Sequence, residues 1–369
     1  MRPPTLKALR AYALARTTAP APDLLRAVAA LGFVQLDPIR APARAADLIL
    51  RQRVADYRVG DLDRAYPQLP LAEDYLHVYG VMPAANQALL HPRGTPYKLQ
   101  VERAHPRLAA KVLAHVARHG DTHPRDVDAA LGRTRMVGGW GNPSAASTRM
   151  LEALHYRGKL KVARRMSGVK VYALAPPPPA VVPSAQRADA LLNLLLRLYA
   201  PLPERSFWQL ARMVTESSMS QAMRTRAFAR VCAAETTATA TIDGARWLWP
   251  AAERPEAELE LRVRAFAPFD PAVWDRRRFA AFWGWEYRLE AYTPPAKRVF
   301  GYYALPLVWR DDAVGWANST VADGTLVATI HFARFAPKSR IFMRELEAEF
   351  DRLRAFVGAG RLDLRLAPA

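Results

Sequence analysis

Between Pro106 and Leu174 the chain spells out three helices and a hairpin in a fixed order, and that order leaves few folds open. Leu108 to Arg118, Pro124 to Leu131 and Ser144 to Arg157 each carry apolar residues at helical spacing. Asn142-Pro143 offers the third helix a cap and a proline at its first position, and Gly158 suits a left-handed residue just past its end. Lys159 to Ala163 and Val169 to Leu174 then alternate around a Ser167-Gly168 turn, the pattern of a two-stranded wing. Helix, helix, helix, wing is the order of a winged helix.

The same order recurs on both sides. Pro176 to Pro179 cannot continue a strand or a helix and is expected to be a stiff linker. Beyond it, Arg187 to Tyr199, Phe207 to Met213 and Gln221 to Ala234 read as helices, and Thr236 to Ile242, Gly244 and Trp247 to Trp249 as a second hairpin. Upstream, residues 5–16, 21–31 and Ala41 to Val54 read as three short helices, with Asp23 in the first turn of the second and Gly32 at its end. From about Glu258 the period becomes alternating, with strands expected at Leu259 to Phe266, Glu286 to Tyr292, Gly301 to Val308, Ala313 to Thr320 and Thr325 to Phe332. Turns are expected at Asp311-Asp312 and Asp323-Gly324. A last helix, Lys338 to Phe356, sets Ile341, Leu346, Phe350, Leu353 and Val357 for packing and stops at Gly358.

The expected class is therefore α+β: tandem winged-helix motifs, then a small antiparallel β-barrel-like domain and a C-terminal helix. A chain of 369 residues is too long for one ordinary core. The divisions suggested are 1–100 (with the Gln35 segment), 101–175, 184–255, 256–335 and 336–369.

Charge narrows the partner. Fifty-three Lys and Arg stand against 34 Asp and Glu, a net charge of +19. Residues 1–60 hold ten basic and four acidic side chains, and 133–170 hold nine and one, so the excess is clustered. Clustered cations favour a polyanion, nucleic acid first and an anionic lipid surface second. The lone cysteine, Cys232, excludes a disulfide framework and a Cys-rich zinc site. Met1 to Arg16 lacks an unbroken apolar core and no 18-residue apolar run occurs, so neither export nor membrane spanning is expected. His115, His119 and His123 recur every four residues, but Gly120 and Pro124 interrupt the helix that would align them; no metal and no cofactor is expected.

Chemistry concentrates in Gln35-Leu36-Asp37-Pro38, followed by Arg40, Arg44, Arg51 and Arg53. An Asp before Pro is a ready N-cap, its carboxylate accepting from the next turn. The same carboxylate two residues from an amide could instead orient water, because residues i and i+2 of an extended segment point the same way. The residues alone leave both readings open. Phe279 to Tyr287, with Trp283 and Trp285, reads as core, with base stacking as the other option.

Four separated stretches, in the same order, resemble the winged-helix DNA glycosylases typified by AlkZ and YcaQ. Leu31 to Asp37 is similar to the start of the family's catalytic segment, whose signature is Gln, a hydrophobic residue, then Gln or Asp; Gln35-Leu36-Asp37 is the Asp-bearing version associated with YcaQ. Glu73 to Pro83 resembles its Glu-Tyr-Trp-x-His…Pro region, departing at Tyr75, which stands where tryptophan usually precedes the histidine, here His77. Pro268-Phe269-Asp270-Pro271 with Trp274-Asp275-Arg276, and Pro295-Ala296-Lys297-Arg298 with Gly301-Tyr302-Tyr303-Ala304-Leu305-Pro306, match two further stretches.

The resemblance implies hydrolysis of the N-glycosidic bond of cationic alkylated purines such as N7-alkylguanine, and unhooking of interstrand crosslinks. N7-alkylation leaves the base cationic and a good leaving group, so the enzyme's task is the other half. Asp37 would orient or deprotonate water and stabilise an oxocarbenium-like sugar, and Gln35 would hold that water. No lysine stands at either position, so a monofunctional glycosylase without a Schiff-base step is expected. The expected partner is double-stranded DNA carrying alkylated bases or crosslinks, met by a cytoplasmic, nucleoid-associated monomer. Contacts to DNA are expected from Arg40, Arg44, Arg51, His77, Arg149, Arg157, Lys159, Lys161, Arg164 and Arg165, with Arg276, Arg277, Lys297 and Arg298 extending the track. The alternative is a winged-helix DNA-binding protein or regulator without catalysis, from which only the Gln35-Leu36-Asp37 triplet and its context separate the enzyme.

Overall fold

The computed structural model describes residues 4–93, 98–137, 143–177, 182–216 and 218–367. Helix α1 (Leu6–Thr18) opens on Thr5, whose hydroxyl accepts from the Ala8 amide, and α2 (Leu24–Leu31) on Asp23, whose carboxylate accepts from Arg26. Asp23 is thus the cap itself rather than a first-turn residue. Gly32, at φ 73°, ends α2 in the left-handed conformation, and the short extended segment β1 (Val34–Gln35) follows at once. The helix expected over Ala41 to Val54 shrinks to α3 (Ala45–Leu50). Pro42 disfavours helix in the residue before it and lacks the amide a helix interior needs. Next come α4 (Asp61–Ala65), the antiparallel hairpin β2 (Leu71–Tyr75) and β3 (Tyr79–Pro83), α5 (Ala84–Ala88) and α6 (Gln100–Ala104).

The central module follows the sequence closely: α7 (Leu108–His119), α8 (Pro124–Leu131), strands β4 (Arg135–Val137) and β5 (Pro143–Ala145), α9 (Ala146–Tyr156), and the wing β6 (Leu160–Met166) and β7 (Val169–Leu174). One detail differs. Pro143 sits in β5, paired with Val137, and Ala145 precedes α9; Asn142 lies outside the described residues. A proline at the rim of a short two-stranded ribbon loses no essential donor, so the same residue serves either role. Ser167 and Gly168, at φ 49° and 84°, make the expected wing turn. Of the proline run, Pro176 and Pro177 have no regular structure and the rest lies outside the described residues.

The third module runs through α10 (Ser184–Tyr199), β8 (Leu202–Pro203), α11 (Glu204–Thr215), α12 (Gln221–Ala233), β9 (Thr237–Ile242) and β10 (Ala245–Pro250), its strands ordered β8-β10-β9. Then come β11 (Val263–Ala265), α13 (Arg276–Trp283), β12 (Leu305–Trp309), β13 (Asp312–Ala322), β14 (Thr325–Phe332), α14 (Arg340–Val357) and β15 (Arg361–Leu366). The five-stranded sheet has the order β11-β12-β13-β14-β15, antiparallel as far as β14. Its fifth member is not Glu286 to Tyr292 but β15, which lies parallel to β14 after the α14 crossover. Glu290 is instead committed to a loop, where its carboxylate accepts from the amides of Val299 and Phe300. On α14 the buried face is Phe342, Leu346, Glu349, Phe350, Leu353 and Phe356, while Ile341 is 43% exposed. The packing stripe is offset by one residue at each end from the one read off the sequence.

Two compact units share these elements: residues 1–62, 192–211 and 228–369 form one, and 63–191 with 212–227 the other. In the first, Phe279, Phe282, Trp283 and Tyr287 join Leu9, Trp247, Phe266 and Phe300 in one core, as expected of the aromatic stretch. In the second, α9 packs on α7 and α8, burying Val112, Val116, Val127, Met150 and Leu151.

Candidate active site and nucleic-acid contacts

Gly32 turns the chain out of α2, and Phe33 and Val34, each 1% exposed, anchor it, which leaves Gln35 at the end of β1 and Leu36 and Asp37 just beyond it half-buried. No helix begins at Pro38, so Asp37 is not a helix cap. Its Oδ1 accepts from the Ile39 amide at 2.9 Å, closing a local turn, while Oδ2 has no hydrogen-bond partner among the described residues. Burial raises the Asp37 pKa above the ordinary aspartate range, and the Ile39 hydrogen bond pulls it part of the way back. The Oε1 of Gln35 is buried and accepts from no donor among the described residues. A carboxylate with one free oxygen, two residues from an unsatisfied amide oxygen, is an arrangement able to take a proton from a bound water.

Most of the arginines beside this segment are engaged inside the same unit. Arg44 donates to Asp47 at 3.0 Å, and Arg51 to Glu349 at 2.7 Å and to the Ala265 carbonyl at 3.2 Å. Arg53 makes a two-pronged pair with Asp270 at 2.5 and 2.9 Å. The reason is that α3 is buried on every side, so Arg51 and Arg53 at its end are drawn onto carboxylates far away in sequence, while Arg44 pairs locally with Asp47. Burial alone would raise the pKa of Glu349; Arg51 and Arg352 overcome that and hold it at about 2. Arg40 remains exposed. Neither Asp270 nor Glu349 was singled out from the sequence as a partner of these arginines, because nothing local signals a pairing over such separations.

In the second unit the expected contacts divide in the same manner. Lys159 and Lys161 are exposed, and Arg164 reaches a half-exposed Asp121 at 3.3 Å. Arg149 donates to the Ser144 hydroxyl at 2.6 Å. Arg157 and Arg165 grip Glu102 and Glu73, at 2.8 Å and 2.6 Å, in paired geometry. Glu73, from the stretch resembling the family's histidine region, thus ties the β2–β3 hairpin to the wing. His77 stands with Tyr75, Arg93, Tyr156 and Glu216 on a cavity of about 520 Å³. Although the residue keeps some exposed surface, desolvation lowers its pKa to about 3 and leaves it neutral. Tyr75 meets Tyr79 and Tyr156 edge to face, at 4.8 and 6.0 Å between ring centres, keeping an aromatic surface there.

Arg276 donates to the carbonyls of Val273 and Pro268 and lies 4.4 Å over the Tyr287 ring; Arg277 donates to Gln209. Arg298 donates to the Thr293 carbonyl and lies over Tyr302, and Lys297 is exposed. His115 stacks on His119 at 4.3 Å, while His123 caps α8. Among the described residues no three His, Cys, Asp or Glu side chains gather as a metal site, and no helix is long and apolar enough to cross a membrane.

Comparison with known proteins places this geometry in context. A family model described as DNA glycosylase AlkZ-like matches residues 28–356. The structure of Streptomyces sahachiroi DNA glycosylase AlkZ is similar over 99% of this chain and 100% of that one, with a TM-score of 0.65 at 16% sequence identity. At that identity the likeness speaks for the fold.

Proposed function

The chain belongs to the AlkZ-like DNA glycosylase family, and we propose on that footing that it hydrolyses the N-glycosidic bond of N7-alkylated guanine in duplex DNA, with Asp37 and Gln35 as its catalytic pair. The observation that carries the reading is the free Oδ2 of Asp37 two residues from the unsatisfied Oε1 of Gln35. The cationic base departs with the glycosidic electron pair and needs no general acid. Asp37 takes the proton of the attacking water and its charge stabilises the oxocarbenium-like sugar. No amine nucleophile stands in the triplet, so the reaction stops at the abasic site. Membership of a glycosylase family separates this chain from a regulator built on the same helices, which is why the catalytic reading is preferred.

The test is incubation with duplexes carrying N7-methylguanine or an N7-linked interstrand crosslink, followed by alkali. Strand breaks at the methylated guanines and separation of the crosslinked strands are expected. Intact strands on both substrates would refute the reading.

We assign phosphate contact to the exposed Arg40, Lys159, Lys161 and Lys297 and the less committed Arg149 and Arg164. With about six such contacts, log affinity for duplex should fall against log salt with a slope of about −5. A flat titration would exclude phosphate as the main determinant of binding.

A further inference from the structure

In the first unit, the loop from Ala291 to Tyr302 holds two cations, Lys297 and Arg298, and no acid. It also puts apolar surface into water: Tyr292 is 85% exposed, Val299 67% and Tyr302 46%, with Pro294 and Pro295 exposed between them. A lone exposed tyrosine is ordinary and needs no explanation. Here three large apolar side chains stand in the open on one short cationic segment. Tyr292 makes no side-chain hydrogen bond and meets no other ring among the described residues.

The loop is held rather than slack. Glu290, 2% exposed, accepts from the amides of Val299 and Phe300 at 2.7 and 2.8 Å, and its carbonyl accepts from the Thr293 amide, so one residue closes the base of the loop. Pro295–Lys297 forms a single turn of 3₁₀ helix after Pro294, and Arg298 donates through Nε to the Thr293 carbonyl at 2.8 Å. That bond puts the Arg298 guanidinium at the residue next to Tyr292, and the same group lies 5.1 Å from the centre of the Tyr302 ring. Its two terminal nitrogens make no hydrogen bond among the described residues and are available to a phosphate oxygen. Gly301 makes the bend before Tyr302 at φ 107°, where a Cβ would run into the Asn318 side chain. The backbone under Tyr292 is thus fixed before any partner arrives, so binding costs little further ordering.

We propose that this loop is a DNA-contact strap in which Tyr292 stacks on the face of a base while Lys297 and Arg298 meet the flanking phosphates. The assignment rests on the family reading that the partner is DNA. A base offers a flat apolar face bounded by anionic phosphate. The strap offers the complement, an exposed ring among cations with no acid to repel the phosphates. In paired duplex that face is covered by the neighbouring bases, and uncovering it costs least where a base has no proper partner. The strap therefore favours duplex carrying an unpaired base over the same duplex fully paired.

The experiment compares the wild type with Tyr292→Ala and Tyr292→Phe, each as the full chain, for affinity to a fully paired duplex and to the same duplex carrying one mismatch, titrated over salt, with thermal unfolding alongside. Tyr292→Ala should weaken binding to the mismatched duplex on the order of 10-fold. Its loss on paired duplex should be smaller, its salt slope should match the wild type's, and its unfolding temperature should hold because so exposed a ring packs on little. Tyr292→Phe should stay within a few-fold of the wild type on both duplexes. Lys297→Gln should instead lower the salt slope by about 1, and an unchanged slope overturns its phosphate contact. An alanine variant that binds the mismatched duplex like the wild type overturns the proposal, as does a phenylalanine variant as weak as the alanine one, or a fall in the alanine variant's unfolding temperature. Retained DNA affinity with lost binding to vesicles of anionic phospholipid would give the strap to a lipid surface and overturns it too. Binding is read without turnover, so a wild type that binds DNA but releases no base ends the glycosylase reading alone, and one that binds neither duplex overturns the strap.

Discussion

Asp37→Asn is expected to slow single-turnover release of N7-methylguanine by roughly 10²- to 10⁴-fold while duplex affinity stays within a few-fold. The substitution is chosen because asparagine keeps an oxygen for the Ile39 amide, so the local turn survives while the proton acceptor is lost. Measuring the rate against pH adds a sign. In the proposed mechanism the active form is the carboxylate, and burial holds its pKa above the ordinary aspartate range. Wild-type activity should therefore be full at neutral pH and fall as the pH drops through that raised value, earlier than an exposed aspartate would dictate. The residual activity of Asp37→Asn should lack this limb. Equal loss of binding and catalysis would instead assign Asp37 to the turn alone.

Arg53→Met is expected to destabilise the unit formed by residues 1–62, 192–211 and 228–369 by about 3–5 kcal/mol, measured by urea unfolding. Arg53 and Asp270 are 2% and 0% exposed in their side chains, so removing the cation strands a buried carboxylate. Arg53 also donates to the carbonyls of Thr17 and Ile49, binding α1 and α3 to the Pro268–Pro271 stretch. The double variant Arg53→Met with Asp270→Leu should recover much of the loss, because a matched apolar pair leaves no charge uncompensated. A loss below about 1 kcal/mol for the single variant would reduce the pair to the worth of a surface ion pair. On this account Asp270 serves the family-like Pro-Phe-Asp-Pro stretch by holding the fold.

What the amino-acid sequence determined unaided is whatever depends on near neighbours. The helices and wing of residues 108–174, the Asp23 and Gly32 boundaries and the Asp323-Gly324 turn all follow from spacing and from residues that suit one backbone conformation. The Gln35-Leu36-Asp37 triplet is visible in the sequence because its members are near neighbours, and its catalytic role is the proposal made above. Arg361-Leu-Asp-Leu-Arg-Leu alternates strictly and its strand could have been seen, but its parallel partner β14 lies across a helix. Tertiary structure decided what each charge is for. Arg51, Arg53, Arg157 and Arg165 look in sequence like Arg40, Lys159 and Lys161; folding brings distant carboxylates to the first four and leaves the other three in water. Tyr292 shows the same limit, since a ring's exposure is a property of everything packed around it. Local periodicity sets secondary structure because its causes span a few residues, whereas desolvation and charge pairing depend on groups that only the folded chain brings together.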